Sequence, residues 1–210
     1  MAKKYCVLIG DIVDSKKISN RKVFQARFSR ILEKVNQRFA ADIISEFTIT
    51  LGDELQGVIR HPQKSYDIIE AFLNLFEPVE LRFGIGLGAI STKISKKTQG
   101  MDGQAFHLAR AAILRAKKEG QAVVFNLGKP LAELSLNTLC LCLQNISKAW
   151  TKRQKRVVEE YCSLGKQDKV ARVLRVSQPT VAKILAASRY DWFFEVEAAL
   201  KSVLSLIIDK

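Results

Sequence analysis

Two aspartates stand at abrupt polar breaks in apolar, strand-like runs. Asp11 falls in Tyr5-Cys6-Val7-Leu8-Ile9-Gly10-Asp11-Ile12-Val13-Asp14-Ser15, and Asp53 falls in Phe47-Thr48-Ile49-Thr50-Leu51-Gly52-Asp53-Glu54-Leu55. Neighbouring strands lie about 4.8 Å apart. Carboxylates delivered side by side in this way can share one or two Mg or Mn ions, which take few protein carboxylates and complete their shell with substrate phosphates. Past Asp11, the segment Ile12-Val13-Asp14-Ser15 leads towards the start of a helix, where free backbone N–H groups suit a phosphate. Two metals held there can activate a hydroxyl and stabilise a departing pyrophosphate. Asp11 and Asp53 are therefore the candidate metal ligands, and Ile12, Val13, Asp14 and Ser15 the candidate nucleotide cradle. Each also has a plainer use: Asp14 and Ser15 can cap a helix, and Gly52-Asp53 can simply turn a hairpin.

A second chemistry lies in residues 150–188. A helix from Trp150 stops near Gly165, a second runs from Gln167 to Leu174, and Arg175-Val176-Ser177 forms a turn. Ser177 can cap a third helix, and Pro179 is tolerated in its first turn. Val181, Ile184 and Leu185 are expected to face Val170, Leu174 and Val176. That leaves Gln178, Thr180, Lys183 and Arg189 turned outward. Such a helix enters the major groove by its N-terminal end, and Gln, Thr and Lys read base edges or hold phosphates. The candidate DNA-binding residues are Ser177, Gln178, Thr180, Lys183 and Arg189. A trihelical docking module that touches no DNA is the plainer alternative.

The elements that must position these residues follow from periodicity. Residues 4–13 read as a buried strand. Residues 20–41 carry apolar residues at three- and four-residue steps, a helix capped by Ser19 or Asn20. Residues 44–60 read as a hairpin centred on Gly52-Asp53, and Pro62 opens a helix through about Phe76. Residues 79–90 form a strand with alternating Gly84, Gly86 and Gly88, spacing that lets another backbone or a ligand approach closely. A polar loop spans 91–103, a helix runs from Gln104 to about Lys118, Gly120 closes it, and 121–126 return as a short strand. The order β-α-β-β-α-β-α-β implies an α+β sandwich on a ferredoxin-like core.

The chain of 210 residues has 48% hydrophobic and 26% charged residues, which excludes a disordered polymer. Its net charge of +13 favours phosphate-rich partners without choosing between nucleotide and nucleic acid. Cys6, Cys140, Cys142 and Cys162 lack zinc-ligand spacing and read as reduced thiols. Met1-Ala2-Lys3-Lys4 leads into too short an apolar run for a signal peptide, and no run is long enough to span a bilayer, so a cytoplasmic protein is expected.

Four blocks, Asp11-Ile12-Val13-Asp14-Ser15, Gly52-Asp53-Glu54, Arg82-Phe83-Gly84-Ile85-Gly86-Leu87-Gly88 and Gly103-Gln104-Ala105-Phe106-His107-Leu108-Ala109-Arg110, resemble the class III nucleotidyl cyclase pattern, in its order, over residues 4–126. The resemblance implies that Asp11 and Asp53 bind the metals and that sites form in a homodimer. It adds Arg82 and Gly86 to the nucleotide site, with a purine nucleotide as ligand. The match departs at its catalytic end. His107 stands where those cyclases carry Asn, and Arg110 follows three residues on rather than four, the fourth position being Ala111. His107 and Arg110 are thus candidate catalytic residues out of register, which points to binding more than to turnover. Residues 151–185 resemble region 4 of bacterial sigma factors, with Arg175 where glycine is frequent. The whole chain is similar to the SatD family, on Gly10 to Ser15, Gly52-Asp53-Glu54 and Gly103 to His107.

The expected architecture is a cyclase-like α+β domain over 1–128, a connecting helix over 129–149, and an all-α helix-turn-helix domain with a C-terminal helix over 150–210. The expected function is a DNA-binding transcriptional regulator whose first domain senses a purine nucleotide with Mg or Mn. Its partner is duplex DNA, its state a homodimer, and no membrane is involved. The alternative is an active nucleotidyl cyclase or nucleotidyltransferase with an accessory helix-turn-helix.

Overall fold

Tyr5–Ile12 forms β1, buried along its length except at Tyr5 and Asp11. The helix α1 (Arg21–Arg38) starts at Asn20, whose side chain accepts the N–H of Val23. A hairpin of β2 (Ile43–Ile49) and β3 (Glu54–Ile59) follows. Pro62 opens a 3-10 turn, Pro62–Lys64, rather than the α-helix itself, and α2 spans Ser65–Phe76. Next come β4 (Leu81–Gly88), α3 (Gln104–Glu119) and β5 (Val123–Asn126). Gly120 ends α3 in the left-handed region at φ 67°, where a Cβ would be strained. The remainder is helical: α4 (Pro130–Lys148), α5 (Lys152–Leu164), α6 (Gln167–Leu174), α7 (Gln178–Ala187) and α8 (Tyr190–Ile208). This is a computed structural model, and it describes residues 3–50 and 52–208. Leu51, quoted with the second aspartate, lies outside the described residues.

Two units partition the chain: Met1–Asn137 with Val203–Lys210, and Thr138–Ser202. In the first unit the sheet order is β2-β3-β1-β4-β5. Every neighbouring pair is antiparallel except β4–β5, which is parallel. The central β1 is therefore flanked by β3 of the hairpin and by β4, the ferredoxin-like arrangement, and α3 adds β5 by a crossover. The α+β class expected from the element order holds.

The two faces of the sheet pack differently. On one, Phe28, Phe47, Phe72, Phe76 and Phe83 are fully buried, with Phe28 edge-on to Phe76 at 4.9 Å between centroids. On the other, Val7, Ile9 and Val58 pack against Ala105, Ala109, Ala112, Ile113 and Ala116 of α3. Here the glycines of β4 have their explanation. A Cβ on Gly84 would lie 2.3 Å from the backbone N of Ile113, and one on Gly86 would lie 2.3 Å from the carbonyl O of Ala105. Glycines on the strand and alanines on the helix bring two backbones together.

Both edge strands are satisfied by asparagines. Asn36 donates to the carbonyl of Phe47 in β2 and accepts its N–H. Asn137, buried, does the same for Phe125 in β5. Loop 91–103 also seals the β2 edge. Glu46 N–H donates to Lys96 O at 2.8 Å, and Ser45 Oγ donates to Ser95 O at 2.6 Å.

The second unit is all helical. Its core is Val157, Val158, Val170, Ala171, Val181, Leu185 and Tyr190, with Leu174, Val176 and Ile184 partly buried against it. Thr151 caps α5 in a capping box with Gln154, and Gly165 ends it at φ 68°. Arg175, between α6 and α7, takes the left-handed conformation at φ 53°, where glycine would be unstrained. Its cost is about 1–2 kcal/mol. Along α8, Leu200 is buried, whereas Trp192 and Phe194 are exposed; Leu204, on the part of the helix that belongs to the first unit, is buried. The side chain of Ile207 lies outside the described residues.

Candidate functional site

At one end of the sheet three charged residues fall in one row. Asp11 of β1 pairs in register with Glu54 of β3 on one side and with Arg82 of β4 on the other. Directly opposed residues on antiparallel strands share a face. Alternation from Val7 and Ile9 places this row on the α3 side. The helix answers it with two cations one heptad apart. Lys117 Nζ lies 2.8 Å from Asp11 Oδ1. Arg110 grips Glu54 with two nitrogens, Nη1 to Oε2 at 2.5 Å and Nη2 to Oε1 at 2.7 Å. The hydrogen bonds to Glu54, reinforced by the charge of Asp11, hold the Arg110 guanidinium more firmly protonated than usual.

Burial explains the pairing. The Glu54 side chain is only 9% exposed, and a carboxylate there without a partner would be strongly destabilising. Thr50 closes the turn on the same residue, its N–H donating to the Glu54 backbone carbonyl at 2.9 Å and its hydroxyl to the Glu54 carboxylate at 3.4 Å. Asp53 stands one residue outside the β1–β3 ladder, half-buried in the turn behind Gly52. Asp11 thus faces Glu54, not Asp53, and the expected pair of metal carboxylates does not meet in register. Among the described residues no group of three His, Cys, Asp or Glu is placed to hold a metal ion.

The nucleotide cradle is altered as well. Ile12 is buried within β1, and the Val13 N–H already donates to Glu80 O at 3.0 Å, so the Val13 N–H is not free for a phosphate. Asp14 sits in the left-handed region at φ 54° and heads a short 3-10 turn, Ser15–Lys17, rather than α1. Its carboxylate takes the ammonium of Lys17 at 2.7 Å, which together with a weaker pull from Arg82 lowers its pKa. Gly86 is closed off: the backbone of α3 fills the space beside it. Arg82 remains, half-buried beside Asp11.

Of the two candidate catalytic residues, His107 is exposed on α3 and lies 3.3 Å from Asp102. Arg110 is spent on Glu54. The residues missed at the sequence level are Glu54 and Lys117. Glu54 directly follows Asp53, and the β1–β3 register puts it, not Asp53, opposite Asp11. Lys117 follows Arg110 by seven residues, two helical turns, on the same face.

In the second unit α7 carries the other candidates. Ser177 caps it, accepting the Thr180 N–H at 3.4 Å, and the two hydroxyls bond each other at 2.8 Å. Gln178 and Lys183 are exposed while Val181 and Leu185 are buried, so the helix has the polar outer face expected of it. Gln178 Nε2 donates to Gln167 Oε1 at 2.6 Å. Arg189 lies beyond α7, in a left-handed turn at φ 52°, with its guanidinium 5.6 Å from the Trp192 ring centroid. It belongs to the start of α8 rather than to the outer face of α7.

The fold and the charged strand end define a mixed α+β domain of ferredoxin-like order, joined to a separate helical unit. The chain belongs to the SatD family, whose model matches residues 5–204. No curated protein matches the sequence. Among solved structures, it is similar to a bacterial light-regulated adenylyl cyclase at 16% identity and TM-score 0.41, over 58% of this chain and 74% of that one. The diguanylate cyclase SiaD from Pseudomonas aeruginosa is similar at 18% identity and TM-score 0.39, over 58% and 50%. A regulator of polyketide synthase expression from Bifidobacterium adolescentis is similar at 13% identity and TM-score 0.30, over 99% and 87%. No helix among the described residues is long and apolar enough to cross a membrane.

Proposed function

We propose that this protein is a DNA-binding regulator whose α+β unit senses a purine nucleotide carried with Mg or Mn. The observation that carries the reading is α7. It is capped by Ser177, anchored by Val181 and Leu185, and presents Gln178 and Lys183 to solvent within a basic unit. Residues 138–202 hold twelve Lys and Arg against six Asp and Glu. An exposed polar helix face in a positive field suits the major groove of duplex DNA. A homodimer would bring two α7 helices to half-sites about 34 Å apart.

The sensor half rests on the strand end. Asp11 already holds a cation, the ammonium of Lys117, at 2.8 Å. Asp53 is half-buried, one residue before Glu54, and, among the described residues, holds no ion pair. Asp11 and Asp53 would supply carboxylate oxygens, and the nucleotide would supply the rest. The Lys117 ammonium, now on Asp11, would then be available to a phosphate oxygen, and Arg82 would offer a second cation. A bound metal supplies positive charge that draws the phosphates in. Arg110, committed to Glu54, lends no support to a cyclase reaction.

Anisotropy of a fluorescent purine triphosphate tests this half. Binding is expected only with Mg or Mn present, and Asp11→Asn is expected to weaken it by at least about tenfold, the loss of one charged contact. Binding that ignores both metal and Asp11, or no binding, contradicts the sensor.

A further inference from the structure

We infer that Gln178 reads adenine in the major groove, with its amide set in the reading orientation by Gln167. This deepens the DNA-binding reading above and rests on it. Gln167 is the first residue of α6 and Gln178 the first of α7, and the hydrogen bond between their side chains spans the turn at 2.6 Å. Gln178 is exposed, at the end of α7 that would enter the groove first.

A glutamine amide has two N–H donors and one carbonyl oxygen. Gln178 spends one N–H on Gln167 Oε1. One N–H and the Oε1 remain, side by side. Adenine presents the complement in the major groove, the N7 acceptor beside the N6 amino donor. Guanine presents two acceptors there, so the same amide makes one bond and sets its oxygen against O6. Cytosine offers a lone donor, and thymine an acceptor beside a methyl group. The half-buried Gln167 thus turns a freely rotating amide into one with a fixed donor and acceptor.

The neighbours leave this role to Gln178. The Ser177 and Thr180 hydroxyls are tied to each other at the cap. Arg189 lies over Trp192. Lys169, Arg172 and Lys183 are exposed cations suited to the phosphates on either side.

The test uses the full chain and a pool of random duplexes, with the retained DNA sequenced. One position is expected to be strongly adenine in the wild-type pool and to lose that preference with Gln178→Ala, other positions unchanged. Replacing that adenine by 7-deazaadenine, which removes N7 but keeps base pairing, is expected to weaken wild-type binding on the order of tenfold and to leave Gln178→Ala unaffected. Gln167→Ala is expected to blur the same position while melting at the wild-type temperature. Guanine selected at this position, or an adenine preference that survives Gln178→Ala, overturns the assignment and leaves DNA binding standing. A pool from which no duplex is retained overturns both.

Discussion

Charge is handled in opposite ways at the strand end and on α7. At the strand end three carboxylates are already answered within their own unit: Asp11 by Lys117, Glu54 by Arg110, Asp14 by Lys17. On α7 the polar side chains stand in solvent, in a unit whose cations outnumber its carboxylates two to one. Burial accounts for the difference. Glu54 lies out of water, and an unpaired charge there would oppose folding by several kcal/mol. Gln178 and Lys183 remain hydrated and lose little by waiting for a partner. A neutralised cluster is one that a ligand must enter by exchange, whereas an uncompensated basic face is one that a polyanion can approach directly.

The most drastic way to break this contrast is to lift α3 off the sheet, since that helix supplies the cations that neutralise Asp11 and Glu54. Gly84→Val places a Cβ where only 2.3 Å separates it from the Ile113 backbone. A loss of about 3 kcal/mol is expected, read from urea unfolding of the full chain. Wild-type stability would show that the strand and helix are not in the close contact described.

A milder change sharpens the comparison. Arg110→Ala leaves the Glu54 carboxylate buried and alone, and is expected to cost about 2 kcal/mol, less than a fully buried pair because Arg110 is half-exposed. Glu54→Gln in the same chain should recover much of that loss, because a neutral amide needs no counter-charge. Equal costs for the single and the double variant would mean that the pair does not neutralise the site. On α7, by contrast, Lys183→Ala is expected to change stability by less than about 0.5 kcal/mol.

Much of this was legible in the chain. The strand-helix order of the first unit followed from periodicity, from Gly120 and from the turn at Gly52-Asp53. The glycine alternation in β4 signalled a close approach, and the structure shows a helix backbone making it. What could not be read was register. One residue of slip separates Asp53 from Glu54, and only the β1–β3 ladder decides which faces Asp11. The cradle misled for a related reason. Asp14 and Ser15 have cap chemistry, but the chain takes one 3-10 turn before α1 begins at Arg21, and Val13 is tied to Glu80 across the sheet. Lys117 escaped notice because exposed lysines at a helix end are common, and its partner is set by packing of α3 on the sheet. In the second unit the cap Ser177 and the inward Val181 and Leu185 were written in the sequence. The side-chain bond between Gln167 and Gln178 needed the angle between α6 and α7.

The central claim is that one chain binds duplex DNA and adjusts that binding to a nucleotide. The affinity of the full chain for a duplex, measured at low and moderate salt with and without a saturating magnesium–purine triphosphate, tests it most directly. Affinity is expected to fall steeply with salt and to shift roughly fivefold or more when the nucleotide is added. No duplex binding, or an affinity identical with and without the nucleotide, would contradict it.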